Sequence, residues 1–87
     1  MILYLDTSAL VKLYIRESGR ETVIAWVKKV QEVATSIVAY AEVYSAFRRA
    51  FLVEKRIIRE GFEEITQKFE RDWRGGCYTL KGRISGF

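Results

Sequence analysis

A chain of 87 residues that is 49% hydrophobic and carries a formal net charge of +4 fits one small globular domain and leaves no room for a second. Its single cysteine, Cys77, and its lack of histidine exclude an internal disulfide, a Cys/His zinc site and any Ser-His or Cys-His catalysis. Apolar runs are short and broken by charge and the start has no cleavable-signal pattern, so a cytoplasmic protein is expected, while a pI near 9.4 favours a polyanionic partner.

Residues 2–5, Ile-Leu-Tyr-Leu, form an apolar run of strand length, as expected of a strand covered on both faces in a parallel sheet. Thr7 or Ser8 then caps a first helix that carries Leu10, Val11, Leu13 and Tyr14 on one side. Ser18 and Glu21 have capping-box spacing ahead of a second helix with the face Val23, Ile24, Val27 and Val30. Residues 33–36, Val-Ala-Thr-Ser, suit a short second strand, and Ser36 is placed to cap the third helix. That helix, the longest, is predicted over 37–53, with Ile37, Tyr40, Tyr44, Phe47 and Phe51 on its core face. Beyond a basic connection at Lys55 and Arg56, a fourth helix carries Ile58, Phe62, Ile65, Phe69 and Trp73, and it is expected to lie antiparallel to the third. Strand, two helices, strand, two helices is an α/β order built on a parallel sheet.

Ligands of open parallel sheets sit beyond the carboxyl ends of the strands, which is where Asp6 follows Leu5. The competing role for Asp6 is to cap the first helix. Glu42 is the second acid of interest. Its neighbours three and four residues away are Val38, Ala39, Ser45 and Ala46, which offer no ion pair, whereas Glu64 has Lys68 four residues on. A carboxylate among small side chains is costly to desolvate unless a cation or hydrogen bonds meet it, and the space admits a metal and a phosphate. A merely solvated helix glutamate is the alternative.

The segments "LYLDTSALVKLY" and "TSIVAYAEVYSAFRRA", with a helix ending in "FERDW", resemble the N-terminal half of a PIN domain of the VapC toxin type, over residues 1–73. The resemblance implies a three-layer α/β/α fold with a parallel sheet, here truncated. It also implies Mg²⁺- or Mn²⁺-dependent endoribonuclease activity on single-stranded RNA and pairing with a VapB-like antitoxin. By that comparison Asp6 and Glu42 are metal-site and catalytic acids, and Ser8 orders the site. Such residue types suit a hard cation that keeps several waters and shares a substrate phosphate. Lys12, Arg16, Arg48 and Arg49 are candidate contacts to RNA phosphates, each with a plain solvated cation as its alternative.

The resemblance ends near Trp73. The further aspartates of the family have no counterpart, because no Asp or Glu follows Asp72, which reads as a helix-end surface charge. Residues 74–87, "RGGCYTLKGRISGF", hold four of the chain's 6 glycines and show no periodicity, so they form one short strand or nothing ordered. A frameshifted remnant, a fragment or a divergent short form would each give such a tail. Weak or absent activity is expected, with a non-catalytic module that binds an antitoxin or itself as the alternative function. A sheet of two strands would leave an edge and an apolar face uncovered, which predicts a homo-oligomer. A basic helix pair reading DNA through "FRRAFLVEKRIIRE" rests on charge alone.

Overall fold

A computed structural model describes residues 1–81, and the end of the predicted tail, 82–87, lies outside the described residues. In chain order the elements are β1 (Ile2–Tyr4), α1 (Thr7–Val11), α2 (Arg20–Lys29), β2 (Glu32–Ser36), α3 (Ala39–Arg48), a π-helical turn (Arg49–Val53), α4 (Arg59–Arg74) and β3 (Thr79–Lys81). Among the described residues the fold is thus a small α/β structure with three parallel strands in one sheet and four α-helices. Among the described residues no helix is long and apolar enough to cross a membrane.

β2 is the central strand. Leu3 pairs with Val33 on one side, and Thr35 pairs with Leu80 on the other. The Leu5 N–H extends the first ladder to the Ala34 carbonyl at 2.9 Å. Thr35 is fully buried, and its hydroxyl donates to the Leu5 carbonyl at 2.9 Å, so no polar atom is stranded under the strand end. The two-stranded sheet expected from the sequence is therefore a three-stranded one. β3 docks on the edge of β2 because Tyr78, just before it, is buried and its hydroxyl shares a short hydrogen bond with that of Tyr14.

The core lies where α1, α3 and α4 meet. Leu10, Val43, Phe47 and Phe69 have no exposed surface, and Tyr14 packs edge-on against Phe47 and Phe69 at 5.9 and 5.4 Å between ring centres. Tyr40 near the start of α3 meets Trp73 near the end of α4, while Phe51 after α3 stacks on Phe62 early in α4, so the two helices run antiparallel as predicted. The strand expected to be covered on both faces is open on one, with Ile2 and Tyr4 exposed, and two residues of the predicted helical core faces are exposed as well. Ile37 and Ile58 keep 48% and 71% of their surface, because one precedes α3 and the other is the N-cap of α4, where a helical face no longer exists.

The start of α2 also differs from expectation. Ser18 and Glu21 do not form a capping box; Gly19 is the N-cap, at φ 88, without a side-chain cap bond. That left-handed turn suits glycine. Asp72 is no simple surface charge either. It accepts a 2.7 Å hydrogen bond from Tyr14, lies 3.7 Å from Lys68, and its carbonyl accepts from the Cys77 N–H at 3.0 Å. It therefore ties the segment after α1 to the chain entering β3.

Candidate active site

The end of β1 delivers Leu5 into the core and Asp6 onto the surface, as strand alternation requires. Asp6 has extended backbone, at φ −79 and ψ 176, and is the N-cap of α1. Its Oδ1 accepts from the Ala9 N–H at 2.9 Å and from the Ser8 hydroxyl at 3.0 Å. Asp6 thus takes the capping role expected of Thr7 or Ser8, because its carboxylate reaches the third residue of the helix. The Ala9 N–H bond, with the Ser8 hydroxyl next, holds the Asp6 carboxyl below the usual carboxylate range. Oδ2 takes no part in these bonds and is open to another partner.

Glu42 stands in the first turn of α3, where the partial positive charge of a helix start favours an anion. Ser36 prepares that start by accepting the Val38 N–H at 3.2 Å, although the N-cap position itself is Val38. Across the gap, the Thr7 hydroxyl donates a short hydrogen bond to Glu42 Oε1. The start of α1, Asp6-Thr7-Ser8, is in this way held against the first turn of α3. Sequence spacing pointed to both acids, but the Thr7 bond joins residues 35 apart and left no local signal.

A cleft of about 560 Å³ opens beside this junction, lined by Thr7, Ser8 and Glu42 together with Arg49, Glu54, Arg56 and Glu17. Of the four basic candidates, only Arg49 lines the cleft. Lys12 is the C-cap of α1 and is ion-paired with Glu17 at 3.3 Å, while Arg16 and Arg48 are exposed to solvent. Arg56, Glu54 and Glu17 are lining residues that the sequence did not single out. The basic connection between the third and fourth helices was the signal for Arg56 and its neighbour Glu54, and Glu17 had none.

The oxygen donors of Asp6, Glu42 and the Thr7 and Ser8 hydroxyls are hard ligands suited to Mg²⁺ or Mn²⁺ rather than to a soft metal. Among the described residues no group of three or more His, Cys, Asp or Glu is placed to hold a metal ion. A cation here would rest on two carboxylates, with water and substrate phosphate filling the remaining positions.

The parallel strands, the helix-capping acid at the end of the first of them and the facing acid on α3 define a small α/β domain with an acidic site beyond its strand ends. A family match spans residues 3–74, and the chain belongs to the PIN domain family. That membership points to nuclease-type function, in a family generally dependent on divalent metal. Comparisons with curated proteins and with solved structures gave no match.

Proposed function

We propose that the chain is a VapC-type toxin ribonuclease that hydrolyses single-stranded RNA with Mg²⁺ or Mn²⁺, weakly, and acts in the cytoplasm. The observation that supports this reading is the Thr7–Glu42 hydrogen bond, which sets the residue next to Asp6 against the second acid beside a cleft that Arg49 and Arg56 also line. Asp6 and Glu42 would hold the cation, and Ser8 keeps the Asp6 carboxylate in one orientation. When bound, such an ion makes its water a better nucleophile and offsets charge gathering on the phosphate. The chain's own residues orient the phosphodiester and leave water access from the open cleft. A VapB-like antitoxin and a second copy of the chain are the expected partners.

Weak turnover is expected from the small donor set, since two carboxylates bind a hydrated Mg²⁺ loosely until substrate phosphate joins them. The same feature favours a second reading, a module that has kept binding surfaces and lost catalysis. Incubation of the protein with Mn²⁺ and single-stranded RNA, beside Asp6→Asn and Glu42→Gln, separates the two. Slow cleavage that both substitutions abolish supports the ribonuclease. Cleavage unchanged by either substitution, or none under any condition, rejects it.

A further inference from the structure

Part of the cleft lining comes from an unusual stretch of backbone that follows α3. The chain leaves α3 through the π-helical turn Arg49–Val53, the Glu54 N–H closes on the Arg49 carbonyl at 2.8 Å, and the Arg56 N–H closes on Ala50 at the same distance. Between them Lys55 adopts φ 58, a left-handed conformation that a lysine rarely takes. π-turns and left-handed non-glycine residues gather at functional sites because the surrounding structure must hold them there. What this backbone holds is Arg56. Its Nε donates to Glu54 at 2.8 Å and its Nη2 to Glu17 at 3.1 Å, so the guanidinium is fixed on one edge and keeps N–H groups on the other. Glu17 is also paired with Lys12. With Glu17 and Glu54 compensated in this way, the lining charges left without an ion pair among the described residues are Glu42 and Arg49.

We infer that Arg49 and Arg56 form a clamp for the backbone phosphates of single-stranded RNA lying in this cleft, with Glu17 and Glu54 as positioning residues that aim Arg56. Arginine suits this task because its planar fork meets phosphate oxygens two at a time. The clamp deepens the ribonuclease reading and rests on it. Binding is measured by anisotropy of a short fluorescein-labelled single-stranded RNA, without divalent metal and over a range of salt, on a Glu42→Gln background that does not cleave. Arg49→Gln and Arg56→Gln are each expected to weaken binding roughly tenfold and to flatten the plot of log affinity against log salt by about 0.7, the loss of one phosphate contact to a single strand. Glu17→Gln should retain that slope. Arg49 belongs to no ion pair among the described residues, so Arg49→Gln keeps the test decisive should Arg56→Gln melt early. If the parent binds RNA and both arginine variants match it in affinity and slope, the clamp is wrong and the ribonuclease reading survives. If the parent binds no RNA, both fail.

Discussion

Asp6 serves two purposes with one carboxylate, and they can be separated by choice of substitution. Asparagine still accepts the Ala9 N–H, so Asp6→Asn should unfold in urea within about 0.5 kcal/mol of the parent, while Asp6→Ala should lose about 1 kcal/mol as the cap disappears. Both should lose Mn²⁺ affinity, read by calorimetry; an Asp6→Asn protein that binds Mn²⁺ as tightly as the parent would remove Asp6 from the ligand set. The position of Asp6 was legible because an apolar strand ends immediately before it, and that of Glu42 because its helical neighbours offered it no partner. The roles of Thr7, Arg56 and Asp72 were not legible. Each depends on a partner from another element, such as Tyr14 for Asp72 at a separation of 58 residues.

Between elements, α3 and α4 are joined at the surface by Glu70, which accepts from Tyr44 at 2.7 Å, from Tyr40 by a short bond, and from Arg74 at 2.9 Å. The two tyrosine hydroxyls, followed by Arg74, lower the Glu70 carboxyl from 4.5 to about 2. A carboxyl lowered by folding contributes stability that is fully present above its unfolded value and is lost as the pH falls. The expected outcome is a melting temperature that drops between pH about 4.5 and about 2, with a shallower drop in Glu70→Gln; identical acid profiles would show that this junction carries no weight. Helical periodicity revealed the apolar faces and the antiparallel pairing of these helices, because that signal repeats along a whole element. It overran the ends at Ile37 and Ile58, and it passed over the π-turn and Lys55, which depend on how the chain reverses rather than on composition.

For the molecule as a whole, the sheet presents Ile2 and Tyr4 on one face of β1, at 57% and 55% exposure, while Leu3 on the opposite face packs against the core. Apolar residues left open on an edge strand favour self-association. Sedimentation at micromolar concentration should detect a dimer or larger species that a paired Ile2→Ser and Tyr4→Ser change returns to monomer; a compact monomer in the parent would dismiss the idea. The parallel order of β1 and β2 was legible from two apolar segments separated by helices. β3 was legible only as one of two alternatives for the tail, because three residues between glycine-bearing segments are too few to show alternation, and the free edge of β2 is what gives them a pairing partner. The short link into that strand has a practical corollary. Cys77, the molecule's lone thiol, is solvent-facing and lies directly before the buried Tyr78. A maleimide dye attached there would colour one spot alone, at the seam where the last strand is sewn to the rest, and its emission would report that seam opening ahead of general unfolding.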